Sequence, residues 1–276
     1  MQLRFTKMHG LGNDFMVLDL VRQQVALTNA QVCTWSHRKT GIGFDQLLII
    51  EPTQVPGCDF GYRIYNADGD EVEHCGNGAR CVSRFVVDKG LSTKSEFTFA
   101  LARGTIATRL EKNGEVTVDM RPPVLDPAQI PFKAAKQAIT YPLRVAGRSY
   151  QIAAVSMGNP HAVMLVDDVE NFPVLDLGTQ VEHHPAFPQR VNAGFMQIIN
   201  RGEIRLRVFE RGAGETLACG TGACAAVVAG RLQGLLDEKV LVHTHGGNMH
   251  IGWAGDGASV FKTGPAVTVY EGQLEL

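Results

Sequence analysis

The sequence predicts an α+β fold made of two related halves. A Cys-Gly-X-Gly-Ala motif occurs twice, and Cys219 follows Cys75 by 144 residues. Each copy is preceded by an alternating, strand-like run and followed by a helix-like run. Tyr65 and Phe209 match at the same offset, so the repeat extends beyond the motif itself. A Pro-rich break at 121–127 separates the halves and marks a domain boundary.

The first half, 1–120, begins with two strands around the turn Gly10–Asp14. Thr28 is a plausible N-cap for a helix to about Arg38, which Gly41 ends. A second helix runs from the first Cys motif and stops at Gly90. The strand-like runs, in chain order, are 3–8, 15–20, 47–50, 60–65, 96–101, 104–110 and 115–120.

The second half, 121–264, repeats this order. One helix is predicted near 174–184, where His183-His184 before Pro185 mark its end, and another from the second Cys motif to about Gly234. The tail 266–270 alternates like one more strand, which could return to either half. The other strand-like runs are 149–155, 162–166, 195–200, 204–209, 239–244, 248–253 and 258–262.

Composition excludes several classes of protein. The chain has 276 residues, a hydrophobic content of 45% and a net charge of −2, which indicate a globular protein without a nucleic-acid partner. Neither an apolar run of about 18 residues nor a signal-peptide core occurs, so we expect a cytoplasmic protein without a membrane partner. Six cysteines are too sparse for a disulfide scaffold, and their spacing is unlike that of zinc sites.

The position of Cys219 predicts a reactive thiol. A glycine-rich turn meets a helix N-terminus there, where backbone N–H groups and the helix dipole favour negative charge, so the thiol should ionise more readily than a free one. The alternative is a small buried apolar cysteine. Two such thiols on related domains would suit chemistry with a base on one face of a carbon and an acid on the other.

Other residues are candidates to assist these thiols. His161 and Glu210 could exchange a proton with a thiol or tune its pKa. The alternatives are a structural histidine and an ordinary surface pair between Glu210 and Arg211. The glycines after each cysteine would let backbone amides approach a substrate carboxylate. We interpret His243, His245 and His250 as a polar strand and turn rather than as metal ligands.

Taken together, the motifs resemble those of the diaminopimelate epimerases over essentially the whole chain. The matching segments are 7–15, 41–46, 65–66, 75–80, 158–161, 191–192 and 210–223. The resemblance implies interconversion of LL- and meso-2,6-diaminoheptanedioate, on the route to lysine and peptidoglycan, with no cofactor and no metal. It also implies two domains, each a curled, mostly antiparallel sheet around a central helix, with the tail 265–276 returning to the first domain.

The resemblance further implies roles for individual residues. Cys75 and Cys219 would be the acid and base on opposite faces of the α-carbon, with His161 and Glu210 modulating them. A homodimer is implied, with Tyr270 at its interface. The implied substrate-binding residues are Asn13, Gln46, Asn66, Gly76, Asn77, Asn159, Asn192, Glu210, Arg211, Gly220 and Thr221. Among them, Arg211 suits a bidentate clamp on the distal carboxylate.

Two other functions compete with this interpretation. Proline racemase-type enzymes share the fold, but their second motif resembles Asp-Arg-Ser-Pro-Cys-Gly-Thr-Gly, whereas here Glu210 begins Glu-Arg-Gly-Ala-Gly-Glu-Thr-Leu-Ala before Cys219. The second alternative is a non-catalytic module that uses its thiols to bind a metal, which one tightly bound zinc ion per chain would support.

Overall fold

The computed structural model describes residues 2–72 and 76–276, so Cys75 lies outside the described residues. The chain separates into two compact units. Unit 1 comprises Met1–Asp119 and Thr263–Leu276, and unit 2 comprises Met120–Lys262. No helix in the described part of the chain is long and apolar enough to span a bilayer.

The described residues of unit 1 form two helices, and α2 begins directly after the first Cys position. Its elements are β1 (Gln2–Gly10), β2 (Asn13–Asp19), α1 (Asn29–Ser36), β3 (Gln46–Glu51), β4 (Phe60–Asn66), β5 (Glu71–Val72), α2 (Gly76–Asp88), β6 (Glu96–Ala100), β7 (Thr105–Leu110) and β8 (Val116–Asp119). The C-terminal strand β18 (Val267–Glu275) pairs antiparallel with β1.

Unit 2 follows the same order of strands and helices, with one additional strand, β9, at its start. Its elements are β9 (Tyr141–Val145), β10 (Arg148–Ser156), β11 (Pro160–Leu165), α3 (Val174–Glu182), β12 (Asn192–Asn200), β13 (Glu203–Glu210), β14 (Gly214–Thr216), α4 (Gly220–Leu232), β15 (Lys239–Thr244) and β16 (Gly247–Trp253). The boundary between the units falls within β17 (Val260–Gly264).

A helix that starts at a Cys motif lies at the core of each unit. In α4 the residues Gly222–Gly230 are all buried, and most are Ala, Gly or Val, because strands β10 to β13 and β16 pack closely around them. Helix α2 packs in the same way against β1, β2, β3, β7 and β8. The predicted α+β fold is therefore confirmed.

Local signals in the sequence explain where α1 and α3 begin or end. Thr28 caps α1, and Thr28 and Gln31 form the reciprocal hydrogen bonds of a capping box, each contribution of this kind stabilising a helix by about 1 kcal/mol. Helix α3 ends at Glu182 with His183 as its C-cap, as the His-His-Pro sequence predicted.

His243 and His250 lie in β15 and β16, with His245 in the turn between them.

Three short strands were not predicted. Strand β9 contains Pro142, which lowers strand propensity. The strand nevertheless shows alternating burial and pairs antiparallel with β10. Strands β5 and β14 have two and three residues, inside segments that we interpreted as turns leading to the Cys motifs. Elements this short carry too little periodicity to be recognised.

Strands β5 and β14 form equivalent hairpins with β4 and β13, respectively. In unit 1, Ile64 pairs with Val72, and in unit 2, Val208 pairs with Thr216, at the same 144-residue offset as the Cys motifs. Each hairpin is clamped by a bidentate Arg–Glu pair. Arg63 contacts Glu71 at 2.9 and 3.0 Å, and Arg207 contacts Glu215 at 2.6 and 2.9 Å.

The second glycine of each motif is required by packing. A Cβ at Gly222 would lie 2.9 Å from Val208 Cγ2 and 3.2 Å from Cys219 Sγ. A Cβ at Gly78 would lie 2.2 Å from Tyr62 Oη. Because atoms cannot approach this closely, glycine lets each helix begin directly against the strand that precedes its motif.

Candidate active site

Strand order gathers the candidate residues of unit 2 at one edge of its sheet. Strands β11 and β12 are parallel, and His161 pairs with Asn192 near their starts. Strand β13 runs antiparallel to β12, so its last residue, Glu210, reaches the same edge. The chain then passes through β14 and begins α4 with Cys219 as the N-cap.

The Cys219 sulfur has both donor and acceptor contacts. Gly222 N donates to Sγ at 3.4 Å, and Thr221 Oγ1 lies 3.6 Å from it. Sγ in turn donates to Glu210 Oε2 at 3.0 Å. The residue is only 4% exposed, so the thiol is held between a helix N-terminus and a carboxylate with little access to water.

The expectation that Cys219 ionises more readily than a free thiol is wrong for this arrangement. Burial raises the pKa of the thiol well above its usual range, and the negative charge and hydrogen bond of Glu210 raise it further. The contacts from Thr221 and Gly222 act in the opposite direction but are outweighed. The helix start was correctly placed, but a dipole worth about 0.3–2 kcal/mol does not offset burial beside a carboxylate.

His161 is completely buried in β11. Its Nε2 lies 3.0 Å from Asn159 Oδ1, so this nitrogen carries the ring proton and Nδ1 is left as an acceptor. Nδ1 makes no hydrogen bond within the described residues. Burial, together with the charge of Arg211, lowers the pKa of His161 to about 3, so the imidazole is neutral at physiological pH.

The turn after β13 is held by three buried or half-buried contacts. Asn192 Oδ1 accepts from Arg211 N at 3.0 Å, and Asn192 Nδ2 donates to Pro160 O at 2.8 Å. Glu182, at the end of α3, accepts from Gly212 N at 2.8 Å. The Arg211 guanidinium itself remains exposed and donates to the carbonyl of Gln189 at 3.0 Å. The Arg211 backbone is therefore fixed, while its guanidinium can contact a ligand.

The candidate side chains described in unit 1 include two hydrogen-bonded pairs of carboxamides. Gln46 Nε2 donates to Asn66 Oδ1 at 2.9 Å, across the paired ends of β3 and β4. Asn77, in the first turn of α2, donates to Asn13 Oδ1 at 3.3 Å. Gly76 begins that helix. These side chains are neutral and carry both donors and acceptors, which suits a zwitterionic ligand.

A network of charged residues holds Asn13 in place. Asp45 Oδ2 accepts from Asn13 Nδ2 at 2.8 Å, and Arg38 bridges Asp45 and Asp14. Lys7 also pairs with Asp14 at 2.5 Å. Burial alone would raise the pKa of Asp14, but hydrogen bonds from Arg38 and Lys7 lower it to about 2. Asp14 therefore stays ionised across the physiological range.

Strand register relates the two sites residue by residue. Phe15 pairs with Gln46 as His161 pairs with Asn192, and Asn66 stands 144 residues before Glu210. Unit 1 thus has a phenylalanine and an amide at the positions where unit 2 has an imidazole and a carboxylate. The scaffold is repeated, but these titratable groups are not.

Sequence reasoning missed three residues of this site. Thr216 donates to Glu210 Oε1 at 2.5 Å, Glu182 anchors the Arg211 turn, and Arg207 clamps the hairpin that carries Thr216. Glu182 has no signal in the sequence, because its partner is a backbone N–H thirty residues away. Arg207 could have been found by extending the 144-residue comparison, which matches it to Arg63, whereas Thr216 differs from Val72 at that offset and has no such signal.

Comparison with known proteins shows similarity along the entire chain. The family model described as diaminopimelate epimerase matches residues 5–125 and 153–269. The diaminopimelate epimerase of Chromobacterium violaceum is 60% identical over 276 residues, covering 100% of both chains. That of Stutzerimonas stutzeri is 57% identical over 276 residues, again covering 100% of both.

More distant solved structures share the fold. A protein from Pseudomonas aeruginosa described as a predicted epimerase has a TM-score of 0.70 and 18% identity, covering 99% of each chain. A hydroxyproline epimerase from Agrobacterium vitis, with bound trans-4-hydroxy-L-proline, has a TM-score of 0.68 and 15% identity, covering 99% of this chain and 92% of its own. At these identities the likeness concerns the fold alone.

The buried His161 should make the protein less stable in acid. Its pKa is about 3 in the folded state and about 6.5 when unfolded, so the unfolded chain binds the proton first as pH falls. Between these values the free energy of unfolding should fall by up to about 1.4 kcal/mol per pH unit on account of this residue. His161→Phe, which introduces the residue found at the equivalent Phe15 position, should remove that part of the slope.

Urea unfolding at several pH values measures the slope. His250→Gln, at an exposed position, serves as the control and should retain the wild-type pH dependence. An unchanged slope in His161→Phe would show that His161 is not held neutral by burial.

Proposed function

The chain belongs to the diaminopimelate epimerase family, whose members are isomerases, and on this basis we propose that it interconverts LL- and meso-2,6-diaminoheptanedioate. The reaction inverts one α-carbon and consumes neither an oxidant nor a cofactor. The hydrogen bond from Cys219 Sγ to Glu210 Oε2, at the start of α4, is the observation that carries the proposal. It supplies a thiol proton and a carboxylate that can take that proton up.

The proposed mechanism uses two thiols. One thiolate removes the α-proton from one face of the carbon, and the other thiol delivers its proton to the opposite face. Cys75 and Cys219 exchange these roles between the two directions of the reaction. In the direction where Cys219 is the acid, its S–H bond breaks as the new C–H bond forms. In the reverse direction the Cys219 thiolate left by that step removes the α-proton, and the Cys75 S–H bond breaks as the new C–H bond forms.

Helix N-termini provide the proposed site for the reacting α-carboxylate. Helix α4 begins with Gly220 and Thr221, and α2 begins with Gly76 and Asn77. The first N–H groups of a helix lack intrahelical acceptors, and the dipole favours an anion there. Neutralising the carboxylate in this way would lower the barrier to forming a carbanion next to it.

The remaining candidates would bind the parts of the substrate that do not react. Arg211, with its backbone fixed by Asn192 and its guanidinium exposed, is proposed to clamp the distal carboxylate. The carboxamides of unit 1 and of unit 2 would bind the ammonium and carboxylate groups. These carboxamides are Asn13, Gln46, Asn66, Asn159 and Asn192. His161 is proposed to modulate the thiols as a neutral hydrogen-bond acceptor through Nδ1.

We further propose that the protein is a cytoplasmic homodimer. Strand β18 exposes the apolar side chains of Val267, Val269 and Tyr270. Single exposed apolar side chains are usual on a protein surface, but three on one strand are not. Tyr270 packs edge-to-face on Phe5 at a ring distance of 6.0 Å, so its orientation is set within one copy. A second copy that covers this strand would bury all three side chains.

Isotope labelling tests the two-thiol mechanism. Starting from the LL isomer in heavy water, the first meso product should carry deuterium at the inverted carbon, while recovered LL substrate stays largely unlabelled. This follows because the arriving proton comes from a thiol already equilibrated with solvent. Cys75→Ala and Cys219→Ala should each abolish inversion, since each removes the partner on one face.

Controls make this test specific. Prior dialysis against a chelator should leave the rate unchanged, and L-proline should not be racemised. Mostly unlabelled product at low conversion, or near-normal epimerisation by either single Cys variant, would refute the proposed mechanism.

Steady-state kinetics separate binding from acid–base roles. Arg211→Lys keeps the charge but loses the planar fork, so KM should rise about tenfold with little change in kcat. Glu210→Gln cannot accept the Cys219 proton, so kcat should fall by about a hundredfold or more. If neither variant differs from wild type, Glu210 and Arg211 are ordinary surface residues.

Sedimentation velocity tests the dimer. Tyr270→Ala should shift the protein towards monomer, because it removes the largest of the three exposed side chains on β18. Leu175→Ala, at an exposed apolar position on α3, is the matched control and should sediment as wild type. A wild-type protein that is monomeric at micromolar concentration would contradict the proposal.

A further inference from the structure

Both oxygens of the Glu210 carboxylate are occupied by donors. Thr216 Oγ1 lies 2.5 Å from Oε1, and Cys219 Sγ lies 3.0 Å from Oε2. An ionised carboxylate can only accept hydrogen bonds, so the Thr216 hydroxyl must donate. The Thr216 hydroxyl and the Cys219 thiol therefore both donate to the Glu210 carboxylate, which is their shared acceptor.

The position of Thr216 does not depend on this contact. Thr216 lies in β14 and pairs with Val208 of β13, while the neighbouring Glu215 is held by both Arg207 contacts. Arg207 also donates to the carbonyls of Val169 and Glu170, which fixes the guanidinium in turn. Backbone and clamp thus place the hydroxyl, and the hydroxyl orients the carboxylate.

Unit 1 contains the same hairpin without the hydroxyl. Val72 stands at the position of Thr216, Asn66 at that of Glu210, and the Arg63–Glu71 clamp at that of Arg207–Glu215. The backbone register is identical, so the hairpin accepts valine in this place. The hydroxyl therefore occurs in the hairpin that also carries the carboxylate, and it is not required to build the strand.

We propose that Thr216 is a positioning residue for the reaction: its hydroxyl holds the Glu210 carboxylate in the orientation that accepts the Cys219 proton. The proposal rests on the proposed function. The terminal torsion of a glutamate is broad and weakly restricted, so without a second donor the carboxylate can rotate away from the sulfur. Thr216 does not act on the substrate, and its effect is exerted entirely through Glu210.

The decisive variant is Thr216→Val, which removes the hydroxyl and introduces the residue of the equivalent position. Loss of one hydrogen bond to a charged group should lower kcat by about tenfold to a hundredfold. KM should change by less than about twofold, because a residue without a substrate contact does not alter uniform binding. Thr216→Ser retains the hydroxyl and should restore kcat to within about threefold of wild type.

The pH profile gives a readout that a purely structural role would not move. A carboxylate turned away from the sulfur no longer opposes ionisation of the thiol. The alkaline limb of kcat/KM against pH should therefore shift to lower pH in Thr216→Val and return in Thr216→Ser. Thr117→Val is the matched control, because Thr117 donates to Glu111 Oε1 at the same 2.5 Å but Glu111 pairs with Arg109. It should leave the kinetics unchanged.

An infrared measurement tests the same contact without substrate. The difference spectrum between wild type and Cys219→Ala isolates the S–H stretch of Cys219, which a hydrogen bond to Glu210 moves to lower frequency. In Thr216→Val this band should move back towards the free-thiol position, and Thr216→Ala is measured if the valine variant does not fold. This comparison remains valid if the wild-type protein fails to epimerise diaminopimelate, an outcome that would refute the proposed function alone.

Two results would overturn the proposal. The first is a folded Thr216→Val variant whose kcat, pH profile and S–H band all match wild type. The second is equal impairment of the valine and serine variants together with a lowered melting temperature, which would assign Thr216 a structural role only.

Discussion

The contact between Cys219 and Glu210 is the interaction on which the candidate site of unit 2 depends. Sγ must reach Oε2 at 3.0 Å across a strand, a hairpin and a helix start. The glycine at 222 lets the helix begin against Val208, the Arg207–Glu215 clamp shapes the hairpin, and Glu182 anchors the turn. In unit 2 these features together place one thiol against one carboxylate in a buried setting.

The two units repeat a scaffold but not its chemistry. Helix start, hairpin register and Arg–Glu clamp recur, whereas Phe15, Asn66 and Val72 replace His161, Glu210 and Thr216. A symmetric pair of thiols would have equal proton affinities and no preferred resting arrangement. At these equivalent described positions only unit 2 has titratable groups, and a carboxylate that can share the Cys219 proton would break that degeneracy.

The fold could be read largely from the sequence because alternation, capping and glycine stops are local signals. Thr28, His183 and the two Cys motifs all mark element ends where they were predicted. The electrostatics of Cys219 could not be read in this way. Its pKa depends on burial and on the Glu210 carboxylate at the end of β13, and both are properties of tertiary structure. The helix dipole is visible in the sequence, but desolvation is not.

A raised thiol pKa is consistent with the chemistry proposed for this site. An α-hydrogen of an amino acid is a very weak acid, so the base that removes it must be strong, and the acid on the other face must hold its proton until the carbanion forms. Burial beside Glu210 serves both needs, because it keeps Cys219 protonated as an acid and makes its thiolate strongly basic once formed. The cost is that the thiolate is rarely populated. The carboxylate already in contact with the sulfur, with 3.0 Å between Sγ and Oε2, can accept the proton directly, so the site needs no water for this step.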